Sequence, residues 1–100
     1  MDREVLYKLI YELDFIDLRI LEQIVQNEYM IALPILIKRM ERINVWNRGI
    51  IRRRLDRLKR EKVLWFEEGT SPIIIEVYNH QEKEIVHLKE LIENRLILVK

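Results

Sequence analysis

The chain contains no cysteine, which excludes disulfides, thiolate metal sites and a cysteine nucleophile together and fits a reducing compartment. Glycine and proline are scarce, at two each in 100 residues. Few turns are therefore written into the chain, and long regular elements with short connections are expected, most of them helical. The two glycines, Gly49 and Gly69, stand twenty positions apart, so no glycine-rich phosphate loop can form. No apolar run approaches the roughly 18 residues of a membrane span, and the N-terminus, Met1-Asp2-Arg3-Glu4, is charged. A cytoplasmic protein is the expectation. Outside tyrosine, the hydroxyl nucleophiles are limited to Thr70 and Ser71, with no histidine beside them in the sequence. A Ser-His-Asp arrangement has no parts to draw on, and neither an enzyme nor a cofactor is expected.

What is present is a core and a concentrated charge. The apolar fraction is 49% and the charged fraction 35%, a balance that folds as one domain over residues 1–100 and leaves no surplus for a second. Richness in Ile, Leu, Glu, Lys and Arg is also the composition that thermophilic proteins favour. The net charge of +1 conceals a segregation: Lys38 to Lys62 holds eleven Lys or Arg against three Asp or Glu, a surplus of eight. The remainder holds seven basic and fourteen acidic residues, a deficit of seven. Basic charge confined to a quarter of the chain points to a polyanion on one face.

Apolar residues recur at helical spacing over residues 3–13, through Val5, Leu6, Leu9, Ile10 and Leu13,. Asp14 reads as an N-cap with Asp17 three positions on, opening a second helix with Leu18, Leu21, Ile24 and Val25 on one face and an end near Asn27,. Tyr29-Met30-Ile31 reads as a brief strand. Pro34 opens a third helix in its first turn, where a missing N–H is harmless; it carries Ile35, Leu36, Ile37 and Met40 and ends at Arg42 or Ile43. Asn47, or Asn44, caps a fourth helix over 47–61 with Ile51, Leu55 and Leu58 inward,. Val63 to Phe66 and Ile73 to Tyr78 flank a turn containing Gly69 and Pro72, which predicts a hairpin over 63–78,. A last helix, 79–98, carries Ile85, Leu88, Leu91, Ile92 and Leu96.

The expected fold is therefore mainly α with a small β-hairpin, in the order helix, helix, short strand, helix, turn, helix, hairpin, helix. That is the order of a winged helix-turn-helix, with its core at 13–78.

Specific residues strengthen the reading. Leu13-Asp14-Phe15-Ile16-Asp17-Leu18-Arg19-Ile20-Leu21 resembles the opening of the DNA-binding domain of the leucine-responsive (Lrp/AsnC) regulators. Ile50-Ile51-Arg52-Arg53-Arg54-Leu55-Asp56-Arg57-Leu58, followed by Glu61-Lys62-Val63-Leu64, resembles its recognition helix running into the wing. The resemblance spans roughly residues 13–66. Such patterns recur in the MarR and ArsR groups and in small archaeal and archaeal-virus regulators. Two departures stand out. Glu41 to Trp46 makes the second helix or the turn longer than the family's glycine-containing turn, and the family's ligand-binding domain has no counterpart here, so amino-acid sensing is not carried over.

For a recognition helix, the N-terminal part meets base edges, and the candidates are Asn47, Arg48, Gly49, Arg52 and Arg53. An arginine fork matches guanine O6 and N7, asparagine matches adenine, and Gly49 allows close backbone approach. Arg54, Arg57, Lys59 and Arg60 suit phosphates, as do Thr70 and Ser71 at the wing tip, although Glu67 and Glu68 there repel them. The plainer possibility is a solvated helical face with Asp56 bridging Arg52 and Arg60, and a hairpin that covers the core with Trp65, Ile73 and Ile75. Trp46 reads as core. Leu6, Leu9, Ile85, Leu88, Leu91, Ile92 and Leu96 exceed what a small core needs and are expected at a homodimer interface, which would place two recognition helices on an inverted-repeat duplex. His80 and His87 with Glu84 and Glu90 could form a metal-sensing site, but their spacing is generic and no metal is expected. The alternative function is a protein-interaction module whose basic helix meets an acidic partner.

Overall fold

A computed structural model describes residues 12–43, 47–78 and 82–99, with side chains except over 82–88 and 98–99. The elements are α1 (Phe15–Gln26), β1 (Met30–Ala32), α2 (Leu33–Ile43), α3 (Arg48–Arg60), β2 (Leu64–Trp65), β3 (Ile74–Val77) and α4 (Glu82–Val99). The described residues are mainly helical, with one small antiparallel sheet. The expected first helix with Leu6 and Leu9, the turn through Asn44 and Trp46, His80, and the side chains of Glu84, Ile85, His87 and Leu88 lie outside the described residues.

Helix α1 begins where its chemistry requires. The Asp14 carboxylate accepts the Asp17 N–H at 3.0 Å, satisfying one of the donors a helix start leaves free. Leu18, Ile20, Leu21, Ile24 and Val25 are buried along its length. The helix ends in a turn with Glu28 and Tyr29 at φ 61° and 69°, a region that side chains other than glycine seldom enter. Local bonds hold it: the Tyr29 N–H donates to the Ile24 carbonyl at 3.0 Å. The Asn27 amide also donates to the Met30 carbonyl at 2.7 Å and accepts from Arg39 at 3.0 Å.

The expected hairpin is two strands of a three-stranded sheet. Strand β1 pairs antiparallel with β3, Ile31 opposite Ile75, while β2 pairs on the other side of β3, Leu64 opposite Val77. The strand order is thus β1-β3-β2. Alternation of side chains along a strand sends Leu64 inward and Trp65 outward, at 0% and 40% exposure. Of the three residues that the plainer reading of the hairpin places over the core, Ile75 is buried in it and Ile73 packs against it, whereas Trp65 faces outward and Phe66 fills the core beside Leu64 and Val77.

Helix α3 ends in a Schellman arrangement: the Val63 N–H reaches the Leu58 carbonyl at 2.9 Å and the Lys62 N–H the Lys59 carbonyl at 3.0 Å,. Lys62 takes the left-handed position there, at φ 59°. The α2 helix continues to Ile43, within the expected end at Arg42 or Ile43.

Helix α4 corrects a second expectation. Ile92 and Leu96, assigned to a subunit interface, are buried in the chain's own core, and Leu91 packs partly against it. The reason is α1, whose apolar stripe is wider than α2 and α3 can cover; α4 lies along it, and Arg95 reaches the Leu13 carbonyl at 3.5 Å. Ile97 stays exposed. Ile92→Ala is expected to lower the unfolding free energy by about 2–5 kcal/mol and to leave the sedimentation coefficient of the folded protein unchanged. A shift to a smaller species would return Ile92 to an interface.

Candidate nucleic-acid interface

Helix α3 carries seven Lys or Arg and one Asp in thirteen residues. Three positions, Ile51, Leu55 and Leu58, anchor it in the core, and the helical period then sorts the charges onto the remaining surface. Arg48, Gly49, Arg53, Asp56 and Arg60 are exposed. Gly49, Arg53, Asp56 and Arg60 face away from the core as the spacing predicts. Asn47 caps the helix, its side-chain oxygen accepting the Ile50 N–H at 2.8 Å, which commits that oxygen and leaves its amide N–H groups as the part able to meet a base. A Cβ on Gly49 would stand 3.2 Å from the same oxygen, so glycine protects the cap as well as keeping the surface low.

The flank of α3 toward the hairpin is held by its own cations. Arg52 pairs with Glu68 and, at 3.4 Å, with Asp56, while its guanidinium lies 5.1 Å from the centre of the Phe66 ring. The Lys59 ammonium lies 4.6 Å from the Phe66 centroid and 5.0 Å from that of Trp65, both within cation–π range. Glu68, expected to repel phosphate, is thus paired with Arg52. Among the described residues Asp56 pairs with Arg52 and has no ion pair with Arg60. At the hairpin tip the Thr70 hydroxyl donates to the Glu67 carbonyl at 3.2 Å, and Ser71 is exposed. This tip is not brought together with the start of α3 by any described bond other than Arg52 to Glu68.

The opposite flank is different. Arg53, Arg54, Arg57 and Arg60 line an open cleft of about 460 Å³ with Ile16 and Ile50. Arg53 folds back weakly on the Gly49 carbonyl at 3.4 Å. Arg54 contacts Asp14, and meets Asp17 at 3.3 Å; Arg57 meets Asp17 at 3.5 Å. Asp17 is wholly buried and its Oδ1 has no hydrogen-bond partner among the described residues.

Burial first, and the neighbouring Asp14 charge second, push the Asp17 carboxyl above its ordinary range against the pull of Arg54 and Arg57,. Burial also acts to raise Asp14, but the Asp17 N–H and Arg54 outweigh it and hold that carboxyl below its ordinary range. Burial would lower Arg54; Asp14 and Asp17 overcome it and raise it. The two carboxyls therefore act oppositely on stability. Asp14 contributes stability at neutral pH that is lost as pH falls through its lowered value, whereas the cost of charging Asp17 disappears as pH falls through its raised one.

Sequence spacing identified the arginines but not their carboxylate partners. Asp14 and Asp17 read only as a helix start, and the cue that they do more is their position as two acids in one turn of a chain whose basic charge lies in one segment.

Among the described residues no group of His, Cys, Asp and Glu could hold a metal ion, and no helix is long and apolar enough to cross a membrane. Comparison with models of protein families, with curated proteins and with solved structures finds no match to this chain.

Proposed function

We propose that the chain is a winged helix-turn-helix protein that binds double-stranded DNA as a transcriptional regulator, with α3 in the major groove and the β2–β3 hairpin as its wing. The observation that carries this reading is the single basic helix: α3 buries one narrow apolar edge and turns seven cations to its remaining surface. A helix charged with one sign is self-repelling unless a polyanion neutralises it. The order of α1, β1, α2, α3, β2 and β3, with β1 joined to the hairpin's β3, supports it.

In this reading Arg48, Gly49 and Arg53, at the exposed start of α3, meet base edges with the Asn47 amide beside them. Arg54, Arg57 and Arg60 meet phosphates, and Ser71 and Thr70 lie at the wing tip. Arg52 serves the wing through Glu68 and Phe66 before it serves DNA. Recognition by a homodimer on inverted repeats belongs to the same proposal, but Ile92 and Leu96 are taken up within one protomer and cannot form its interface.

The test is anisotropy of labelled random duplexes across a salt series, with sequencing of the bound fraction. Neutralising several phosphates predicts a log–log salt slope of about −0.9 for each one, together with an enriched motif. Sedimentation of the complex should give two protomers per duplex. No binding at low salt would sink the DNA reading, and a single protomer per duplex would remove the dimer.

A further inference from the structure

The arginine cleft carries more positive charge than its own carboxylates neutralise. Four arginines, Arg53, Arg54, Arg57 and Arg60, line it with Ile16 and Ile50. Two carboxylates, Asp14 and Asp17 at the start of α1, pair with two of these arginines, Arg54 and Arg57. The two are not equivalent. Asp17 is fully buried and shared between Arg54 and Arg57, so it cannot leave without opening the core. The Asp14 side chain is 47% exposed; one oxygen caps α1 while the other contacts Arg54. An exposed pair of that kind is weak and exchangeable. A phosphodiester offers the same grouping, one negative charge on a pair of oxygens, and a guanidinium fork accepts either.

We propose that the cleft is a phosphodiester subsite, the Asp14 carboxylate at the start of α1 holding on Arg54 the place that a backbone phosphate takes in the nucleic-acid complex. This rests on the DNA-binding reading above. Binding is then an exchange: phosphate displaces Asp14, Asp17 stays as the fixed anion that orients Arg54 and Arg57, and Arg53 and Arg60 at the rim supply the charge that draws the strand in. From α4, Arg95 donates to the Leu13 carbonyl beside the pair. The unbound chain is held below its full affinity by its own helix start.

Asp14→Asn tests this, because asparagine caps a helix as well as aspartate does and the fold is retained. Duplex affinity at low salt is expected to rise roughly two- to fivefold, with the salt slope little changed because the same phosphates are neutralised in both complexes. In an Arg54→Ala background the gain should vanish. Glu61→Gln, which removes a negative charge at the far end of α3, should give a smaller gain with no change in slope. If the wild-type chain binds duplex but Asp14→Asn binds it no more tightly, or gains equally without Arg54, the exchange is wrong while the DNA reading stands. If the wild-type chain binds no duplex at low salt, both fall.

Discussion

Arg53→Ala is expected to weaken binding to the preferred duplex by about 1–3 kcal/mol and to relax selectivity at one base position, with the thermal midpoint unchanged. Arg53 is the cleanest of the arginines to remove. It is exposed in the first half of α3, and its one described bond is a long one, 3.4 Å to the Gly49 carbonyl. Nothing in the core depends on it. Arg52 lacks that independence, since it pairs with Glu68 and Asp56 and covers the Phe66 ring; Arg52→Ala would loosen the hairpin as well as delete a contact. Arg54 and Arg57 are tied to the buried Asp17. Comparing Arg53→Ala on the selected motif and on unrelated duplex separates the two roles an arginine can have. An equal loss on both would make Arg53 a phosphate contact, and no loss on either would remove the start of α3 from the interface.

Phe66→Ala should give the largest loss of stability among these changes, about 3–5 kcal/mol, against a total of about 5–15 kcal/mol for a domain of this size. The ring is 1% exposed and lies where the hairpin meets α3, under the Arg52 guanidinium and the Lys59 ammonium. Its removal leaves a cavity and also two cations without their aromatic face. Phe66→Leu restores most of the volume but no quadrupole, so it should recover most of the stability while leaving the hairpin less firmly held. Urea denaturation of the three proteins gives the energies. Amide exchange in β2 and β3 relative to α1 gives the second effect, and equal protection in Phe66→Leu and wild type would show that the cations contribute nothing to docking the hairpin.

Much of this arrangement follows from local pattern. Asp14 and Asn47 are both found at helix starts because a short side-chain acceptor before an apolar periodic segment is the commonest way to satisfy free N–H groups,. Ile51, Leu55 and Leu58 orient α3, so the exposure of Gly49, Arg53, Asp56 and Arg60 was legible from spacing alone. The β1 strand was visible as three residues, but its partner was not, since pairing with β3 across more than forty positions depends on the assembled sheet and not on either segment.

The errors have the same source. Trp65 is an aromatic residue in an apolar run, and only the register of β2 against β3 decides that it faces outward while Phe66 fills the core. Ile92 and Leu96 form a stripe that suits a partner helix; nothing in their spacing says whether that helix belongs to the same chain or to another.

Composition and periodicity by themselves determined the helical class, the helix starts and the confinement of positive charge to one helix, because each depends on neighbours within a few residues. Tertiary structure alone decided that α4 covers α1, that Arg52 holds the hairpin, and that Asp14 and Asp17 stand against Arg54 and Arg57, some forty positions away in the chain. Contacts of that kind arise when buried faces dock. Docking is set by the shape of the whole core, which no local pattern encodes.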